Sequence, residues 1–206
     1  MSSGYLLLEK INYTKNVMKG IIKMATLKKI EFVDFGPYKI IGKEIRTKHE
    51  SFNPIFQSKY RTIPSLWQQC FSDGTFDTLA KMSEYCPPET PDAYEGYMRD
   101  FCNEDGTFIY LAGFFMKANT PVPDGFASYE VPSCTIARAW IEGEEFDIYP
   151  NTHSLTVDAI NKNGYVIDLE NYFSCEVYTD ERFGIPKNNG QKVLILDYYI
   201  PCIKKS

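Results

Sequence analysis

The chain has 206 residues, 44% of them hydrophobic and 24% charged, which is ordinary globular usage and argues against both a disordered protein and a membrane protein. A formal net charge of −5 argues against an extended basic surface for the phosphate backbone of nucleic acid. The one unusual figure is 15% aromatic residues, from 15 Tyr, 14 Phe and 2 Trp.

Residues 1–26 do not alternate as a strand would. Leu6, Leu7, Ile11, Val17, Ile21 and Ile22 can instead share one helix face, so an N-terminal helical extension is expected there. The basic stretch Lys15 to Lys29 is apolar between its lysines and reads as an amphipathic helix or arm with solvated lysines rather than a DNA contact. The early apolar run Tyr5 to Leu8 is too short for a secretory signal and runs straight into Glu9 and Lys10. No apolar run approaches the length of a membrane span, and a cytoplasmic protein without membrane association is expected.

From Leu27 the texture becomes strand-like. Lys28 to Thr47 alternates β-branched and aromatic residues with charges, and Gly36-Pro37 marks a bend, giving two short strands or one long bent one. A helical pattern follows over 61–82, with Ile63-Pro64 at its start, Leu66, Trp67, Cys70 and Phe71 on one face, and a break at Asp73-Gly74. The segments 91–101 and 107–116 read as a β-hairpin across the turn 103–106. The stretch 119–125, with two prolines and a glycine, is a connection, after which the order repeats. The repeat comprises a strand region with Pro132-Ser133 as its bulge, a helical region ended by Asn163-Gly164, and two strands across a Gly/Asn-rich loop at 184–190. The order strand, helix, hairpin thus occurs twice, and AYEGYMRD in the first half echoes SCEVYTDE in the second. An α+β fold with halves at about 27–118 and 126–206 is the expectation.

The six cysteines, Cys70, Cys86, Cys102, Cys134, Cys175 and Cys202, are singly placed and read as reduced packing residues, not zinc ligands. His49 and His153 lack any metal-binding spacing, so no metal is expected, and a Cys134–His153 dyad is a minor alternative. Without a GxGxxG, a P-loop or a GxSxG, no cofactor is expected.

The combination PYKIIG (37–42), IPSLWQQCF (63–71), TFIYLAG (107–113), PVPDGFASYEVPSCTIARAW (121–140), and CEVYTDE followed by VLILDYYIPCIKK resembles the GyrI-like family of bacterial effector-binding domains, also found attached to AraC-type and MerR-type transcription activators. The resemblance covers about residues 27–204. It implies duplicated strand-helix-strand-strand units related by a pseudo-twofold axis, with helices on one face of an antiparallel sheet and a ligand cleft between the halves. Loops 47–60 and 83–92 are expected to shape that cleft.

On the family pattern Glu176, in Cys175-Glu176-Val177-Tyr178, projects into the ligand site. A carboxylate in an apolar aromatic cavity must either take up a proton or meet a cation. A cationic aromatic ligand offers such a charge while stacking on ring faces. Trp67 turns toward the cleft by the same resemblance, and the strand tyrosines Tyr38, Tyr97, Tyr110 and Tyr178, whose hydroxyls need a partner that a ligand heteroatom or Glu176 can provide, are the further ligand-binding candidates. Phe108 and Phe114 read as core or cleft wall.

Three functions follow from the resemblance. The first is a binding protein or sensor for small hydrophobic or cationic ligands, which without its own DNA-binding module would act on transcription through a partner. The second is a hydrolase of electrophilic cyclopropane-bearing natural products, with Glu176 activating water or stabilising charge and a tyrosine such as Tyr110 protonating the leaving oxygen. The third is a protein-binding inhibitor of a topoisomerase. Oligomeric state and the role of residues 1–26 are left open by the sequence.

Overall fold

The structure, a computed structural model, describes residues 25–48, 62–90 and 92–205. The N-terminal extension therefore lies outside the described residues except for Ala25, buried against Gly143 and Ile148, and Thr26, which opens the first strand. His49 and most of loop 47–60 also lie outside them.

Nine strands are described: β1 Thr26–Phe35, β2 Tyr38–Lys48, β3 Tyr94–Arg99, β4 Thr107–Lys117, β5 Ala127–Val131, β6 Cys134–Glu144, β7 Tyr165–Ile167, β8 Ser174–Tyr178 and β9 Val193–Lys204. All pairings are antiparallel, in the order β1-β6-β9-β8-β3-β4-β2-β5, with β7 added to β9. Exchanging β1 with β5, β2 with β6, β3 with β8 and β4 with β9 turns this order into its own reverse. The β3–β8 pair stands at its centre.

β1 and β2 are consecutive in sequence but do not pair. Gly36-Pro37 joins them although five strands separate them in the sheet, so the sheet must curl until its two ends meet. The connection from β5 to β6 does the same, and the two turns touch: a side chain at Gly36, whose φ is +85°, would sit 2.9 Å from the carbonyl oxygen of Pro132. Inside the curl Phe35, Phe115, Val131, Ile136 and Tyr199 form one core. β4 and β9 are buried on both faces, which is why TFIYLAGFFM and VLILDYYIPC read as nearly unbroken apolar runs instead of alternating ones.

The helices cover the other face. α1 (Ile63–Ser72) begins at the N-cap Thr62, whose hydroxyl accepts from the Ser65 N–H, with Pro64 in the first turn, where a missing N–H costs nothing. It buries Ile63, Leu66 and Cys70 and stops at Asp73-Gly74; α2 (Thr75–Ala80) follows at once and buries Phe76 and Leu79. α3 (Glu145–Lys162) ends at Asn163-Gly164. The segment expected as a loop at 184–190 is largely helical: a π-turn, Asp180–Gly184, runs into a short helix, α4 (Ile185–Asn188). Its start is fixed by Arg182, whose guanidinium donates at 2.8 and 2.6 Å to the carboxylate of Asp197, a residue only 1% exposed. A spacing-based expectation of a loop misses this turn because its anchor is a long-range ion pair.

Candidate functional site

The β3–β8 register decides what the centre of the sheet offers to each face. Gly96 lies opposite Glu176 and Tyr94 opposite Tyr178. Side chains alternate along a strand, so Glu176 and Tyr178 point to the helical face, whereas Glu95 points to the curled core. The echo between AYEGYMRD and SCEVYTDE is therefore offset by one residue in space. Glu176 faces a glycine, not a second carboxylate.

That glycine makes room for a hydrogen-bonded cluster. Tyr110, on β4, donates from its hydroxyl to Glu176 Oε2 at 2.8 Å, and Tyr178 donates to the same oxygen at 2.9 Å. Trp67 Nε1 donates in turn to the Tyr110 hydroxyl at 3.0 Å. A Cβ at Gly96 would lie 2.0 Å from the Tyr110 hydroxyl and 2.9 Å from Glu176 Oε2, so no side chain fits there without dismantling the cluster.

Over the cluster opens a cavity of about 580 Å³, a volume suited to a small organic molecule. Glu176 and Tyr178 form its floor. α1 contributes Ile63, Pro64, Trp67 and Phe71, α3 contributes Glu145 and Tyr149, and the π-turn with α4 contributes Asp180, Phe183 and Lys187. The rings form a connected wall. Trp67 meets Tyr178 edge-on at 5.2 Å, Tyr178 meets Phe183 at 4.8 Å, and Phe71 contacts Phe76 at 4.7 Å and Tyr94 at 5.4 Å. Phe71 is 60% exposed, a large apolar surface left uncovered at the cavity.

Burial holds the Glu176 carboxyl far from its ordinary range: desolvation raises its pKa from 4.5 to about 7, and the two tyrosine hydrogen bonds lower it only in part. Both phenols donate to Oε2, which leaves Oε1 for the cavity. Burial pushes the Tyr110 and Tyr178 hydroxyls well up, and the nearby Glu176 charge adds to this, so both remain protonated donors. Tyr149 behaves in the same way, beside Glu176 and Glu145. The floor of the site is thus a neutral-to-anionic acceptor in an aromatic box, with phenols as the donors bonded to its carboxyl.

Of the residues expected from sequence, Trp67, Glu176 and Tyr178 line the cavity, and Tyr110 lies one step behind, fully buried and bonded to both Trp67 and Glu176. Tyr38 and Tyr97 lie elsewhere. Tyr97 is buried in the curled core against Phe173 and Phe115, and Tyr38 packs on Phe35 and donates its hydroxyl to Glu89. Phe114 packs against Phe76 and Tyr94, and Phe108 against Phe101. The loop 83–92 supplies Glu89 to Tyr38, away from the cavity, and it is the 180–188 segment that covers it. Cys134 lines a separate depression with Cys202, while the His153 ring lies 3.4 Å from the Tyr198 hydroxyl. Sequence reasoning did not single out Gly96, Tyr149, Glu145, Phe183 or Lys187. The first shows its role only through register, the others only through the fold of 180–188 onto α3.

No group of three or more His, Cys, Asp or Glu side chains placed to hold a metal occurs among the described residues. No described helix is long and apolar enough to cross a membrane.

An antiparallel α+β sheet carrying an aromatic, carboxylate-floored cavity beneath helices defines a small-molecule binding domain. The chain belongs to the GyrI-like family: the model of the GyrI-like small molecule binding domain matches residues 28–202. No curated protein matches the chain. Among solved structures it is similar to SAV2435 bound to tetraphenylphosphonium, with TM-score 0.57 and 11% identity over 85% of this chain and 94% of that one. It is also similar to a putative bacterial transcription regulation protein from Staphylococcus aureus MU50, with TM-score 0.54 and 12% identity over 84% and 97%. A third is EcmrR in a complex with DNA, with TM-score 0.50 and 17% identity over 97% of this chain and 65% of that one. At such identities these likenesses establish the shared fold alone.

Proposed function

We propose that the domain binds an aromatic organic cation in the cavity between α1, the start of α3 and the 180–188 segment, with Glu176 as its counter-charge. The observation that carries this is a buried carboxylate at the floor of an aromatic cavity which, among the described residues, pairs with no basic side chain: its hydrogen-bond partners are two phenols. Ionising Glu176 in that setting is unfavourable until a positive charge arrives, and a cation flanked by Trp67, Phe71, Tyr178 and Phe183 gains cation–π attraction as well. The solved structure of a similar fold with tetraphenylphosphonium bound supports the ligand class. The halves 27–118 and 126–206 are read as a duplicated unit, and the strand order that maps onto its own reverse supports this.

Calorimetric titration with tetraphenylphosphonium tests the reading. One molar equivalent is expected to bind the wild type, with at least tenfold weaker binding to Glu176→Gln. Equal binding by the two proteins would remove Glu176 from the site.

A second reading, hydrolysis of an electrophilic ligand, draws on the same carboxyl. A pKa of about 7 suits a general base, with the cavity-lining hydroxyl of Tyr178 as proton donor in place of the enclosed Tyr110. Loss of an electrophilic cyclopropane compound on incubation with wild type but not with Glu176→Gln would favour it; intact compound recovered from both would exclude it.

A further inference from the structure

Lys187 is the single basic side chain among the described residues that line the cavity, and its half-exposed side chain stands at the rim rather than the floor. Its Nζ lies 2.7 Å from Glu145 Oε1 and 5.5 Å from the centre of the Phe183 ring. The same Glu145 oxygen accepts a hydrogen bond from the Tyr149 hydroxyl at 2.9 Å. The rim therefore already contains what a cationic ligand would seek, a carboxylate and aromatic faces, and a resident ammonium occupies them. The arrangement ties α4 to the first turn of α3. Its two partners remain 48% and 40% exposed, so the pair can open without a large desolvation cost.

We propose that the Lys187–Glu145 pair is a charge filter, which cancels the rim carboxylate so that the cavity takes up ligands with one positive charge in preference to ligands with two. This rests on the reading of Glu176 as the cation's counter-charge. With Lys187 in place, Glu176 at the floor is the strong anionic subsite; Asp180, the other lining carboxylate, is exposed, so solvent and salt screen it. Without the ammonium, Glu145 becomes a second anionic subsite beside Tyr149 and Phe183, separate from the first. A monocation settled on Glu176 gains little from it. A dication gains a partner for its second charge.

The test is equilibrium binding of two probes, tetraphenylphosphonium as monocation and decamethonium as a flexible bis-quaternary dication. The proteins are wild type, Lys187→Met, Glu145→Gln, the Lys187→Met/Glu145→Gln double variant and Glu176→Gln. Lys187→Met is expected to tighten decamethonium by about fivefold and tetraphenylphosphonium by no more than about twofold, the range that relief of one partly exposed charge supports. Adding Glu145→Gln is expected to abolish the gain, and Glu145→Gln alone, which leaves Lys187 uncompensated, is expected to weaken both probes. Equal tightening of the two probes by Lys187→Met, or none, overturns the filter, as does a gain that survives the double substitution. Failure of the underlying reading looks different: Glu176→Gln then binds tetraphenylphosphonium as wild type does, or neither probe binds the wild type.

Discussion

Two carboxyl groups lie side by side on the central strand pair, and the fold treats them in opposite ways. Glu176 on β8 points to the helical face, receives two phenol hydrogen bonds and opens onto a cavity. Glu95 on β3 points into the curled core and is wholly buried; its Oε2 accepts a single 3.3 Å bond from the Phe115 N–H, and its Oε1 has no partner among the described residues. The Thr90 hydroxyl lies near enough to lower the Glu95 pKa but out of hydrogen-bonding geometry, and desolvation dominates, holding that carboxyl well above its usual range. Burial alone therefore makes a carboxyl neutral. Access to a cavity, with donors arranged to leave one oxygen free, is what makes Glu176 a candidate recognition group and Glu95 an inert one.

The largest disruption of this contrast should come from Gly96→Ala, which puts a methyl group into the space of the Tyr110 hydroxyl. It is expected to destabilise the fold by about 3 kcal/mol and to abolish tetraphenylphosphonium binding, as read by denaturant unfolding and calorimetry. Wild-type stability with retained binding would show that the cluster tolerates displacement.

Glu176→Gln should act in the opposite direction on the unliganded protein. Because the folded pKa is raised from 4.5 to about 7, Glu176 stabilises the fold fully below about pH 4.5 and loses that contribution as pH rises through about 7. The substitution is therefore expected to be nearly neutral at pH 4 and stabilising by up to about 3 kcal/mol at pH 8, in urea unfolding at the two pH values. Glu95→Gln separates the two carboxyls. Its raised pKa has the same sign, so it too should stabilise the protein at pH 8 relative to pH 4, but with no change in cation affinity. A loss of affinity there would mean that the two faces of the sheet are coupled.

The smallest effect is expected for Trp67→Phe, which keeps an aromatic wall and removes the Nε1 donor to Tyr110. One lost hydrogen bond of about 1 kcal/mol predicts roughly fivefold weaker binding with an unchanged pH profile. A change in the profile would mean that Trp67 acts on Glu176 through Tyr110.

Much of the element order was legible in the sequence. Asp73-Gly74 and Asn163-Gly164 end helices where they stand in the chain, and the aromatic run 107–116 is a strand. The pairing was not legible, because β1 and β2 are chain neighbours that sit at opposite ends of the sheet, and only long-range packing of Phe35 on Tyr199 and Phe115 decides this. The site divides in the same way. A Glu two residues before a Tyr marks a strand with both side chains on one face, which places Glu176 with Tyr178. Nothing in the text tells Tyr97 from Tyr110; the first goes to the core and the second to the cluster through the β3–β4 register, which sets Tyr97 opposite Leu111 and Met98 opposite Tyr110. Lys187 and Glu145 are 42 positions apart and meet through a turn that the Arg182–Asp197 pair helps to anchor.

If Glu176 is a buried acid that ionises to receive a cation, tetraphenylphosphonium affinity must depend on pH in the wild type and not in Glu176→Gln. Wild-type affinity is expected to rise about tenfold per pH unit below about pH 7 and to level off above it, while the variant stays weak and flat. A flat wild-type profile, or one that Glu176→Gln leaves in place, would contradict it.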